Sequence, residues 1–126
     1  MRTLSILAGK ILFGLVMIIF GIFHFMNGGA MTEYLVGWPF PIVFIYLSGA
    51  GLILTGLSII VHKYTNIACW LLAVEIALFI LCIHIPAIAY GSDIQVQMST
   101  MNLLKDAGLL GGALIIAGLF EPSKER

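Results

Sequence analysis

The stretch LSILAGKILFGLVMIIFGIFHF, residues 4–25, has one lysine, one histidine and no acid in 22 positions. At 1.5 Å per residue, a helix of that length covers the ~30 Å hydrocarbon layer of a bilayer. Its apolar side chains run on without period-two alternation, which excludes a strand of a membrane barrel. Hydrocarbon offers no water to backbone N–H and C=O groups, so such a stretch is stable there as a helix.

Three further stretches of this kind follow at 42–61, 67–90 and 101–120, and the four fill most of the 126-residue chain. Apolar residues make up 61% and charged residues 10%, against roughly 25% charged in soluble domains, which leaves too little polar surface to face water. The expected fold is all-α: one integral domain over 1–126, a four-helix transmembrane bundle in a lipid bilayer. The net charge is zero, so nothing electrostatic points to nucleic acid.

Lys and Arg in short flanking segments favour the cytoplasmic side. Arg2 and Lys10 open the first span, Lys63 lies in the second connection, and Lys124 and Arg126 follow the fourth span, whereas 26–41 and 91–100 hold neither type. Both termini are therefore expected in the cytoplasm, in a multi-pass protein of the cell membrane such as a bacterial inner membrane. A cleaved signal peptide is disfavoured, because no A-x-A-like site follows the first apolar run and cleavage would leave an odd number of spans. The outer loop, from Asn27-Gly28-Gly29 to Trp38-Pro39-Phe40-Pro41, reads as an interfacial hairpin with Tyr34, Trp38 and Phe40 at headgroup level.

Cys69 and Cys82 lie 13 residues apart on one expected helix, about 20 Å of rise. A disulfide needs Cα atoms within about 7 Å, so they cannot pair within the chain and read as small packing residues. No C-x-x-C occurs.

Polar residues inside spans tend to face protein or a cavity, because each is costly in lipid. Lys10, Gly14, Met17, Gly21 and His24 recur at spacings of four and three and share a face, as do Ser48, Gly51, Thr55, Ser58 and His62. Gly108-x-x-x-Gly112 and Ala113-x-x-x-Ala117 offer close-packing edges on the fourth helix. By depth, His24, His84, Lys105 and Asp106 fall near the outer boundary, and Tyr46 is placed to join them. Two imidazoles, a carboxylate and an amine at one level can hydrogen-bond a quinone head group or relay protons, which makes these five the candidate quinone or proton site. The structural alternative is that Asp106 neutralises the amide end of its own helix, Lys105 snorkels and the histidines cap loops. The His-x-x-x-His and Glu-x-x-His spacings of bundle metal sites are missing, so no metal is expected.

Glu75 falls deeper, near the midplane. On a regular helix the nine residues to His84 turn through 900°, which sets the two about 180° apart. Glu75 then points outward as an interface or proton-linked acid, into a homo-oligomer or a partner; the other arrangement has Lys10 reaching up to it.

The order of Phe20-Gly21-Ile22-Phe23-His24-Phe25, Tyr46-Leu47-Ser48-Gly49-Ala50-Gly51-Leu52-Ile53-Leu54-Thr55-Gly56, His84-Ile85-Pro86, and Leu103-Leu104-Lys105-Asp106 before Gly111-Gly112-Ala113-Leu114 resembles the DoxX family of small four-helix membrane proteins over nearly the whole chain. The resemblance implies a four-span bundle. In some members it also implies a small subunit of a quinone-reducing or terminal quinol oxidase assembly, thiosulfate:quinone oxidoreductases included. Others are components of membrane oxidoreductase complexes, and distant relatives look like assembly chaperones. This chain departs from the quinol-oxidase-linked members in having little outside its spans, and no catalytic residues carry over. Two function classes stay open: an accessory or quinone-contacting subunit beside a redox partner, and a small dimeric proton-coupled transporter or a chaperone-like interaction module. An enzyme acting alone has least support, since no nucleophile motif, nucleotide loop or metal cluster is recognisable.

Overall fold

The computed structural model describes residues 1–122; Lys124 and Arg126, which enter the orientation reading, lie outside the described residues. Four helices, each long and apolar enough to cross a membrane, account for most of the chain: α1 (Arg2–Met26), α2 (Pro41–Val61), α3 (Thr65–Tyr90) and α4 (Asp93–Leu119). No strand occurs among the described residues.

Glycine sets the spacing of α1 and α2. A Cβ added at Gly21 would lie 2.6 Å from the Gly49 carbonyl oxygen, and one at Gly14 would lie 2.9 Å from that of Gly56. The converse substitutions meet the Gly21 and Gly14 carbonyls. Two reciprocal pairs, seven residues apart on each strand of the hairpin, bring the backbones into direct contact, as small residues do where helices pack without a strong hydrophobic drive. The α1 stripe is as expected, with Lys10, Gly14, Met17 and Gly21 buried. The α2 stripe also faces protein, with Thr55 buried and Ser48 and Gly51 turned toward α3, while the residues of α2 against α1 are Gly49 and Gly56.

His62-Lys63-Tyr64 connects α2 to α3, with His62 and Tyr64 in the left-handed region at φ 60° and 57°. Such positions cost about 1–2 kcal/mol each for residues with a Cβ. Local bonds offset this, because the Ser58 hydroxyl donates to the Lys63 carbonyl and the Thr65 hydroxyl donates to the Ser58 carbonyl at 3.2 Å. At the same end the Lys10 ammonium donates to His62 Nδ1 at 2.9 Å and lies 4.8 Å from the centre of the Phe120 ring. Asn66 Nδ2 donates to the Ala117 carbonyl at 2.7 Å. Side chains thus fasten all four helices together at this end.

α4 begins eight residues before the expected 101. The Ser92 side chain accepts from the Gln95 N–H while the Gln95 side chain accepts from the Ser92 N–H, a capping box that satisfies two otherwise orphaned donors. Residues 93–100, mixed in polarity and expected as loop, form its first turns. α3 also departs from a regular helix, because Ile80–His84 is a π turn. Pro86, two residues on, explains it: proline has no N–H for the carbonyl four residues back, and its ring crowds that carbonyl, so the backbone widens.

Helix pairs α1–α2 and α3–α4 pack along their lengths, and α2 packs on α3. α1 and α4 meet through side chains, with Phe13 over Gly112 and Phe20 beneath Lys105. Met17, Leu52, Leu72, Ala73, Ile76 and Ala113 form the central core, and Ile59, Cys69, Ile116 and Ala117 continue it toward the Lys10–His62 end. Ala113 and Ala117 supply the packed edge of α4, while the Gly108 position opens on empty space.

Candidate functional site

Next to the central core lies a cavity of about 660 Å³, lined by residues of all four helices. Met17, Leu52, Ile76 and Leu109 make its floor, and Phe20, Phe23, Phe44 and Phe79 are among its walls. The segment between α1 and α2 forms a helical turn (Gly28–Met31) and a 3-10 turn (Thr32–Leu35). It places Met31, Tyr34, Leu35 and Trp38 on the cavity, and Trp38 packs edge-on against Phe44 at 5.3 Å. The loop expected as an interfacial hairpin is therefore also part of the cavity wall.

His24, His84, Lys105 and Asp106 all line this space. His84 Nε2 donates to Asp106 Oδ2 at 2.7 Å, and Lys105 Nζ lies 3.5 Å from Asp106 Oδ1. The Asp106 side chain is 8% exposed and that of Lys105 48%, so the carboxylate is held inside while the ammonium reaches the surface across the Phe20 ring, 4.8 Å from its centre. A buried carboxylate needs such partners, since an unpaired one is strongly unfavourable. Asp106 lies well inside α4, so the helix-end role considered for it does not apply. His24 Nδ1 lies 2.7 Å from the Phe20 carbonyl; a carbonyl can only accept, so Nδ1 donates. In their neutral forms His24 keeps Nε2 and His84 keeps Nδ1 as free acceptors.

Glu75 is corrected. It lines the same cavity, accepting from the Ser48 hydroxyl at 2.5 Å, with its Oε2 3.0 Å from where a Cβ on Gly51 would stand. Outward orientation is ruled out, and so is pairing with Lys10, whose ammonium is engaged by His62. The π turn gives the reason. One extra residue in the turn sets the downstream part of the helix back by about 100°, so His84 swings to the side of α3 that Glu75 already faces. The two depths read from the sequence belong to one space.

Tyr46 is also corrected, since it does not line the cavity. Position 46 lies 200° around α2 from Ser48 on a 3.6-residue helix, and its ring stacks on Phe25 at 5.2 Å beside Gly28. Ser99 and Asn102 are polar lining residues with no counterpart in the sequence reading, and Ser48, expected in a packing stripe, lines the cavity as well. Ser99 and Asn102 follow the capping box, which was the available signal for a helix already running there. Cys69 is fully buried and packs as expected, while Cys82 is exposed and lines the cavity. Among the described residues, no group of three or more His, Cys, Asp or Glu side chains is arranged to hold a metal ion.

Fold and cavity together define a small helical protein with an amphiphilic chamber, apolar in its walls and hydrogen-bonding at its polar edge. Comparison with known protein families, with curated proteins and with solved structures gives no match.

Proposed function

We propose that this chain is a DoxX-like, multi-pass membrane protein, with both termini in the cytoplasm, that holds the head group of a lipid-soluble quinone as a contacting or accessory subunit of a membrane redox complex. The observation that carries the reading is the His84–Asp106–Lys105 cluster and His24 on one aromatic-walled cavity. The residues suit the group: flat apolar walls accept a ring, Lys105 and Asn102 supply donors for carbonyl oxygens, and the free imidazole nitrogens accept from hydroxyls. A bound quinone would supply two-electron, two-proton redox chemistry. The chain's own part is to orient the ring and to hold a proton at His84, with Asp106 fixing the imidazole.

His84→Ala and Asp106→Asn are expected each to reduce quinone-linked electron transfer in membranes by about tenfold or more, on the scale of losing a positioned acid–base group, while the protein still inserts. Wild-type rates in both variants would rule the site out. A second reading, proton-coupled transport, is favoured by Glu75, which meets Ser48 on the cavity and has no cationic side chain at ion-pair distance among the described residues. Glu75→Gln is then expected to abolish proton-driven flux into vesicles, and unchanged flux would exclude that reading.

A further inference from the structure

The cavity has a side opening. α2 and α3 are joined by a three-residue turn at one end. Toward the other end Phe44 and Leu47 of α2 and Leu78 and Cys82 of α3 all line the cavity and are also exposed on the outer surface. These residues belong to both surfaces, so they are the rim of a mouth. The rim is apolar except at its deeper corner, where the Ser48–Glu75 hydrogen bond spans the two helices. The π turn of Ile80–His84 begins between Leu78 and Cys82 and turns His84 inward, so the charged cluster faces the chamber and leaves the mouth apolar. The α1–α2 face offers no such opening, because Gly14 and Gly21 bring those backbones into contact.

We infer that the cavity is entered sideways from the bilayer through the α2–α3 mouth, by a molecule whose polar head lies at His84 and Asp106 and whose long apolar tail stays between Leu47 and Leu78. This rests on the proposal that the chain spans the membrane and binds a quinone-type head group, and it selects tailed, membrane-dissolved molecules over water-soluble ones. A chamber with its hydrogen-bonding groups inside and an apolar lateral exit matches an amphiphile in that orientation, since the tail keeps hydrocarbon-like surroundings in the rim and only the head leaves the lipid.

Two fully ring-substituted probes that thiols cannot add to test this: tetramethyl-p-benzoquinone and trimethyl-decyl-p-benzoquinone, which share a head and differ in the tail. With the Trp70→Phe protein in lipid nanodiscs, Trp38 is the remaining tryptophan and sits on the cavity, so its quenching reports head binding. The rate of N-ethylmaleimide labelling at Cys82, with Cys82→Ser as background, reports the mouth. Both probes are expected to quench Trp38, and the decyl probe alone to slow Cys82 labelling, by about tenfold at saturation, with the Leu47→Phe/Leu78→Phe protein weakening its binding about tenfold as the larger rings narrow the mouth. Quenching by both probes with equal labelling rates would overturn sideways entry and leave the head site standing. Quenching by neither would overturn the quinone reading and the entry route together.

Discussion

Single residues carry the chemistry here through what they are paired with. Asp106 holds His84 through one oxygen and meets Lys105 near the other, so the imidazole is oriented and its free nitrogen is available to a ligand. Removing His84 leaves the buried carboxylate with Lys105 alone. His84→Ala is therefore expected to lower thermal stability as well as activity, by about 1–3 kcal/mol, the loss associated with stranding a buried hydrogen-bonding group; a detergent-solubilised melting curve checks it, and Asp106→Asn, which keeps the shape, should lose less. The candidate residues were largely legible, because charged side chains are so few in these spans that each stands out by its cost. His24, His84, Lys105 and Asp106 could be named without a structure. Tyr46 could not be excluded, since depth alone does not separate two faces of a helix, and Ser99 and Asn102 are too ordinary to stand out.

Helices that depart from the regular form are where sequence periodicity stops being informative. The α1–α2 hairpin obeys it, and its glycines are ordered by position: Gly21→Ala should destabilise the protein by about 1–3 kcal/mol through overpacking, whereas Gly108→Ala, with nothing within 4 Å of the new methyl, should be neutral or stabilise by up to about 1 kcal/mol through helix propensity. Equal effects in thermal unfolding would show that the hairpin is looser than its backbone approach implies. α4 was read too short because its first turns are mixed in polarity, although Ser92 and Gln95 spell a capping box; Ser92→Ala should cost about 1 kcal/mol and raise amide exchange over the first turn. α3 broke the angular reading because a constant 100° per residue has no room for a π turn. Pro86→Ala, which keeps the residue count but removes the cause of the π turn, should let the segment return to regular helix and turn His84 by about 100° off the cavity, so that the protein folds, by circular dichroism, but no longer shows head-group quenching of Trp38.

At the scale of the molecule, four antiparallel helices return the described C-terminal end to the N-terminal half of α1, where Phe120 meets Lys10 and His62. Reporters fused to the two termini are expected on the same side of the membrane, which the proposed topology makes the cytoplasm; reporters on opposite sides would refute the topology. Four helices long and apolar enough to span and the burial of the α1 stripe follow from hydropathy and period, whereas the chamber depends on how residues of all four helices come together around one space, which composition does not encode. The widened turn in α3 also bears on descent. Nine residues through the π turn and eight on a regular helix end on about the same side, so a related chain that lost both Pro86 and one position between Glu75 and His84 would still present the same two side chains to the chamber. Kinship in this architecture is then better traced by which side chains meet than by fixed spacing.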